Sequence, residues 1–164
     1  MSAGAYVLVK FDNREKLLPA VEVIGKLTDI SKWDAVDGHF DLVLKLKANN
    51  PSLLEKLSGL DGCTEVASCE LESDNEPGTD LSPDNCYSYL FAETEKDQRK
   101  TVQKAMEKVE GVLFCSPSSG SCSLVAMVTG DSFDHIDRTI NDDIRQLDGI
   151  LRLKQDRIIF LDRL

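Results

Sequence analysis

The 164-residue sequence has only two histidines, His39 and His135, and no C-x-x-C pair among the cysteines at 63, 69, 86, 115 and 122. A zinc site draws on closely spaced ligands and a secreted disulfide scaffold on an even cysteine count, so neither is expected. The five thiols read as reduced side chains acting as small apolar residues. No apolar run approaches the roughly 18 residues that cross a membrane. The opening MSAGAYVLVKFD has no basic stretch ahead of a long apolar one, which argues against a signal peptide and makes the cytoplasm the default location. Basic residues are also scarce: 19 against 29 acidic ones give a net charge of −10. With no basic patch and no helix-turn-helix pattern, nucleic acid is not an expected partner, because neutralising phosphates supplies most non-specific affinity. What is present, 41% hydrophobic residues, is enough to build a packed core.

The most informative positive feature is a repeat. LDG occurs at Leu60-Asp61-Gly62 and again at Leu147-Asp148-Gly149. A shift of 82 residues lays Lys26-Leu27 on Lys108-Val109, Ile30 on Val112, Gly38 on Gly120 and Leu42 on Leu124. The two LDG tripeptides need a shift of 87, so the second helix of the second copy should be five residues longer.

In copy one, AYVLVKF (5–11) reads as a strand, and 14–28 as a helix with Leu17, Leu18, Val21, Ile24 and Leu27 on one face. Ile30–Val36 is a second strand and Asp37-Gly38 a hairpin turn signal. Phe40, Leu42, Leu44 and Leu46 alternate with Asp41, Lys45 and Lys47 as a third strand, Asn50-Pro51 opens a short helix, and Cys63–Leu71 closes the unit. Copy two follows the same order. Tyr87–Ala92 is a strand, and Val102, Ala105, Met106 and Val109 mark a helix. Val112–Ser116 and Ser121–Thr129 form a hairpin, and Asp131 or Ser132 caps a long helix carrying Phe133, Ile136, Ile140, Ile144 and Leu147. Ile150–Leu161 is a last strand, bent near Gln155-Asp156.

Both copies thus read βαββαβ, the split-βαβ or ferredoxin-like arrangement. The expected class is α+β, with two tandem units, each an antiparallel four-stranded sheet carrying two helices. The units span residues 1–71 and 86–164, and the acidic, proline-containing 72–85 is a linker. Units this small have marginal cores. Val43, Val125 and Met127 are apolar on the parity opposite the helix-facing stripe. Both sheet faces should therefore be buried, in dimeric α/β-barrel-like packing within the chain as a pseudo-dimer or between chains as a homo-oligomer.

AYVLVKFD with its following helix, and then Ala35-Val36-Asp37-Gly38-His39-Phe40-Asp41-Leu42-Val43-Leu44-Lys45-Leu46, resembles the ligand-binding domain of the Lrp/AsnC (feast/famine) transcription regulators. In that family the hairpin carries a small or hydroxyl residue, Gly, a polar residue, an aromatic, Asp and an apolar strand. Copy one is similar over nearly its full length. Copy two is more divergent, with Cys122 for the aromatic and Ser123 for the aspartate. The resemblance implies assembly through the sheets and binding of amino acids or related metabolites near this hairpin. It does not carry over the DNA-binding domain of those regulators, so the expected role is regulatory binding and oligomerisation without direct DNA contact. A module that only docks on itself or on a partner regulator is the alternative.

The expected ligand-binding residues are Gly38, His39 and Asp41, with Gly120, Ser121 and Ser123 as their counterparts. Gly38 would allow close backbone approach and Asp41 would accept from an ammonium group. The competing reading has Asp41 ordering the hairpin and His39 simply exposed. No catalytic residue, metal site or cofactor is expected, and the chain reads as a non-enzyme, because general acid–base work needs a defined partner and the polar pair does not recur. His135, among Asp134, Asp137, Asp142 and Asp143, reads as helix surface. A two-residue turn at Ser118-Ser119 would set Cys115 opposite Cys122, a candidate redox pair, and the same register would set Trp33 opposite Phe40.

Overall fold

Alternation of apolar side chains on both parities of the strands dictates a sheet with two buried faces, and the computed structural model, which describes residues 4–78 and 80–160, has one. The elements are β1 (Ala5–Phe11), α1 (Leu17–Ile24), β2 (Ile30–Gly38), β3 (Leu42–Leu46), α2 (Pro51–Ser58) and β4 (Cys63–Leu71). After the linker come β5 (Cys86–Thr94), α3 (Arg99–Glu107), β6 (Val112–Gly120), β7 (Leu124–Gly130), α4 (Phe133–Thr139) and β8 (Ile150–Ile159). Leu161, the expected end of the last strand, lies outside the described residues. All strand pairs are antiparallel, and the order β1-β3-β2-β8-β5-β7-β6-β4 closes on itself as a barrel. A closed sheet leaves no edge to recruit another chain.

Three apolar layers follow from strand parity. Inside the barrel lie Tyr6, Leu8, Val36, Phe40, Val43, Tyr87, Tyr89, Phe91, Phe114, Val125, Met127 and Ile158. On the outer face, Val7, Val9, Leu42, Leu44 and Leu46 meet Leu17, Ala20 and Ile24 of α1 and Leu53 and Leu57 of α2. The second outer layer packs Leu90, Leu124, Ala126 and Val128 under Val102, Met106, Ile136, Ile140 and Ile144. Each fully buried Leu, Val or Phe contributes about 1.5–3 kcal/mol, so the interior Val43, Val125 and Met127 are as much core as the helix-facing stripe.

Helix starts follow their caps. Pro51 sits in the first turn of α2, where the Asn50 side chain accepts from Leu53 N–H at 3.3 Å. For α4 the cap is Ser132, whose hydroxyl accepts from His135 N–H at 3.1 Å. The expected extra length of this helix appears as a π-helical turn at Ile140–Ile144, with Arg145 N–H bonded to the Ile140 carbonyl at 2.8 Å. That turn keeps Ile136, Ile140 and Ile144 all facing the sheet. In α1, Leu18 departs from its expected place: it is 63% exposed, because the buried face of the helix runs through Leu17, Ala20 and Ile24 and Leu18 lies about 100° round from Leu17, away from it.

The hairpins differ from the expected two-residue turns. Asp37 and Gly38 continue β2 and pair with Arg157 and Asp156 of β8, while Ser118, Ser119 and Gly120 continue β6 and pair with Leu71, Glu70 and Cys69 of β4. Cross-pairing between the two halves claims these residues for strands. In consequence Trp33 lies opposite Leu44 rather than Phe40, and Cys115 opposite Ala126 rather than Cys122. Phe40, placed with the helix-facing stripe by parity, turns into the barrel because the chain is irregular from 39 to 41. β8 pairs with β5 in continuous register from Ser88–Arg157 to Glu93–Arg152, without the expected break at Gln155-Asp156.

The recurring glycines sit at the two seams. Gly120 has φ +99°, and a side chain there would run into the Ser68 carbonyl; one at Gly38 would run into the Gln155 carbonyl and Asp156. Gly120→Ala should therefore cost about 2–4 kcal/mol, from left-handed backbone strain plus a backbone clash. Gly59→Ala, at a helix end with ordinary φ of −85° and no tight neighbour, should stay within about 0.5 kcal/mol. Urea unfolding of the two variants checks the difference.

Candidate functional site

Strand direction sorts the interior polar groups to the two barrel mouths. At one mouth, β2 begins, β3 ends and β1 begins, which brings Lys32 and Asp34, Lys45 and Tyr6 together with Tyr89 of β5. These residues share the inward parity of Val36, Val43, Leu8 and Phe91. The linker crosses this mouth between the end of β4 and the start of β5. A cavity of about 760 Å³ lies there, lined by Lys32, Asp34, Lys45, Asp74, Glu76 and Phe160 among others.

Its polar groups are interlocked. Tyr6 Oη and Lys32 Nζ both donate to the Glu76 carboxylate, and Lys45 Nζ reaches it at 3.3 Å and Asp74 at 2.9 Å. Tyr89 Oη donates to Asp34 Oδ2 at 2.8 Å, and Lys32 Nζ stands 3.9 Å from the same oxygen. The two ammonium groups also lie over aromatic rings, Lys45 5.5 Å from the Tyr6 centroid and Lys32 5.8 Å from that of Tyr89. Burial, and then the charge of Glu76, hold the Tyr6 hydroxyl far above its ordinary pKa, so it remains a donor. Burial likewise raises Asp34, against the lowering pull of Lys32 and Tyr89.

The residues expected from the sequence lie at the opposite mouth. Gly38 is pressed on β8. The His39 ring stacks edge-on against Phe40, with Nε2 3.6 Å from Glu65. Asp41 accepts from the Phe11 amide at 2.8 Å, so its carboxylate ends β1 and orders the hairpin. Ser121 N–H bonds the Ser68 carbonyl at 3.0 Å, Ser123 N–H the Ala92 carbonyl at 2.8 Å, and the Ser123 hydroxyl accepts from the Thr94 amide at 3.3 Å. The cavity between these hairpins is only about 20 Å³, and of the six expected residues it is lined by Ser121 alone. His135 stands on α4 as expected, beside a shallow surface concavity with Asp142 and Asp143. Cys115 faces α3 and α4, and burial pushes its thiol up to about 12. Cys122 instead lies inside the barrel, in the same interior cluster as Cys69 and 3.4 Å from the Ser118 hydroxyl. The interaction of the two thiols raises Cys69 and lowers Cys122.

Sequence reasoning missed Lys32, Asp34, Lys45, Glu76 and the fully buried Asp156. For the first three a signal was present, since charges on the inward parity of strands that are otherwise apolar must meet partners at a mouth or inside. Nothing marked Glu76 among the five acidic residues of the linker. Asp156 accepts from the Phe40 amide at 2.8 Å through one oxygen, while the other, among the described residues, has no partner. Among the described residues no group of three or more His, Cys, Asp or Glu is placed to hold a metal ion.

Residues 89–156 match the sequence model of the Lrp/AsnC ligand binding domain. The resemblance therefore holds, but it falls on the second copy, which the hairpin motif alone had marked as the divergent one. No curated protein matches the chain. Among solved structures, the siroheme decarboxylase NirDL, also seen in co-complex with an iron-uroporphyrin III analogue, is 10% identical with a TM-score of 0.75, covering 96% of this chain and 71% of that one. A mutant chlorite dismutase from Candidatus Nitrospira defluvii is 11% identical at a TM-score of 0.58, covering 99% and 94%. Escherichia coli AsnC matches 51% of this chain at 15% identity and a TM-score of 0.46. The siroheme decarboxylase and the chlorite dismutase, both matched over nearly the whole chain, are enzymes, which corrects the expectation of a non-enzyme: that expectation took missing acid–base pairs as exclusion, and this fold is one on which enzymes are built.

Asp156 yields a pH prediction. Burial lifts its carboxyl from 3.8 to about 6, against the lowering effect of the Phe40 amide and His39. With the folded pKa above the unfolded one, the native state binds the extra proton. The favourable contribution is full below pH 3.8 and lost as pH rises through about 6. The difference is about 3 kcal/mol. Asp156→Asn, which keeps an oxygen for the Phe40 amide, should stabilise the protein at pH 7.5 by up to about 3 kcal/mol. Urea titrations at stepped pH should show that gain shrinking to nothing toward pH 4.

Proposed function

We propose, from the Lrp/AsnC ligand-binding match over residues 89–156, that the chain is a small-molecule-binding protein with a regulatory role. Its ligand, an amino acid or a related metabolite, enters the barrel mouth beneath the linker. The observation that carries this reading is the cavity of about 760 Å³ at that mouth, with Lys32, Lys45 and Asp34 converging on it. Its volume falls within the roughly 300–1,000 Å³ of small-molecule sites, and its lining is mostly charged, with Leu46, Leu81 and Phe160 as the apolar part, which suits a small charged ligand. Charges of both signs suit a zwitterion, whose carboxylate would face the two lysines and whose ammonium would face Asp34.

Two further considerations bear on the reading. Closure of eight strands within one chain supports the intramolecular pseudo-dimer over assembly through exposed sheets, and so weakens the alternative of a docking module. The fold's likeness to a siroheme decarboxylase raises an iron tetrapyrrole as a second ligand class. The residues present do not fit one: the described residues lining the cavity include no histidine, cysteine or methionine, His39 and His135 lie elsewhere, and the Tyr6 and Tyr89 hydroxyls are held as donors to Glu76 and Asp34.

A thermal-shift screen of amino acids, keto acids and dicarboxylates tests the proposal. At about ten times its Kd a ligand should add about 1.4 kcal/mol, and so raise Tm by about 3–6 °C. Lys45→Met should abolish the rise. Silence from every compound at about 10 mM, weaker than typical metabolite sites, would sink the reading.

A further inference from the structure

The cavity already holds a carboxylate, and the chain supplies it. Glu76 belongs to the linker, yet its side chain is only 10% exposed and takes hydrogen bonds from Tyr6, Lys32 and Lys45, three donors on three different residues of β1, β2 and β3. The aromatic faces of Tyr6 and Tyr89 back the two ammonium groups. Such a cluster of donors on rigid strands is more than a loop needs to be tethered. The linker is also tethered independently. Glu72 continues the pairing of β4 through the Pro117 carbonyl at 2.9 Å and holds Arg99 at 2.5 Å. Asn75 bonds the Ser116 hydroxyl and the Cys115 carbonyl at 3.0 and 2.9 Å. Residues 72–75 therefore need no help from Glu76 to lie along β6. Glu76 is the group inserted among the barrel's own donors.

We infer that Glu76 is an internal stand-in for a ligand's carboxylate: the subsite formed by Lys32, Lys45 and Tyr6 recognises carboxylate-bearing molecules, which enter by displacing the Glu76 side chain. This rests on the reading of the mouth as a small-molecule site and adds to it a built-in competitor for the ligand's carboxylate. Competition with an intramolecular carboxylate lowers apparent affinity, since a tethered group acts at a high effective concentration. It also sets a threshold, so that the site fills only when the carboxylate is abundant. Two lysines facing Asp34, Asp74 and Glu76 leave the mouth without excess positive charge. Once Glu76 swings out, Lys32 keeps Asp34 and Lys45 keeps Asp74, and each loses one carboxylate contact that the incoming anion replaces.

The test uses acetate and succinate as probes on the full chain, with Glu76→Gln as the near-isosteric variant and Glu76→Ala as the one that empties the subsite. Acetate and succinate, but not acetamide or chloride, should raise the Tm of Glu76→Ala saturably. Their apparent Kd should be at least about tenfold lower for Glu76→Ala than for the unaltered chain. Glu76→Gln should shift the same way by a smaller factor, and adding Lys32→Met with Lys45→Met should erase the response. Equal response of Glu76→Ala and the unaltered chain, or none from either variant, would overturn the inference. If the unaltered chain binds a ligand without a carboxylate, and Glu76→Ala leaves that affinity unchanged, the small-molecule reading stands while this one falls. No binding by any form ends both.

Discussion

Backbone hydrogen bonding across two seams, β2 to β8 and β4 to β6, decides most of what this molecule can do. Each half of the chain contributes four neighbouring strands, β4-β1-β3-β2 and β8-β5-β7-β6, and either sheet alone would carry unpaired edges and a bare apolar face. Pairing Ala35–Gly38 with Asp156–Ile159, and Cys69–Leu71 with Ser118–Gly120, removes both problems at once. It also confines the interior to two mouths and makes the linker, obliged to run from the end of β4 to the start of β5, the natural cover of one of them.

The seams explain what was and was not legible in the sequence. The element order, the helix faces and the double-sided apolar strands could be read because each rests on local periodicity, period 2 along strands and 3.6 along helices. The recurrence of Gly38 and Gly120 was legible too, but its reason was not. A glycine after Asp37 or Ser119 looks like turn chemistry, whereas both are glycine because a strand from the other half of the chain passes too close for a side chain. Long-range pairing of this kind leaves no local mark, and it shifted both hairpins, so Phe40 and the cysteine register went astray with them.

The candidate site was less legible than the fold for a related reason. His39 and Asp41 stood out as a polar pair of uncommon residue types, yet Asp41 spends its carboxylate on the Phe11 amide and His39 leans on Phe40. The residues at the large cavity are lysines, an aspartate and tyrosines, types that any solvated strand could carry. Only their inward parity sets them apart, and parity becomes informative once both faces of the sheet are known to be buried. Asp34 and Lys45 sit on the same face as Val36 and Val43, so a charge on that face has to be met by another charge or by a ligand.

That requirement makes the linker more than a connection. The mouth brings two ammonium groups and a phenol into a space that the strands alone would leave without enough acceptors. Asp34 is committed to Tyr89 and shares only Lys32. An acidic segment long enough to cross the mouth supplies Asp74 and Glu76 at the required depth, and the same acidity that reads from the sequence as a solvated spacer here neutralises an interior site. The geometry also separates two roles within the linker. Glu72 and Asn75 bond to Arg99, the Ser116 hydroxyl and the Cys115 and Pro117 carbonyls, away from the lysines, while Glu76 occupies donors that a ligand would use. A carboxylate held by tethered chain rather than by the barrel itself can be exchanged without breaking a strand pair, so the proposed exchange with an acid would leave both seams closed.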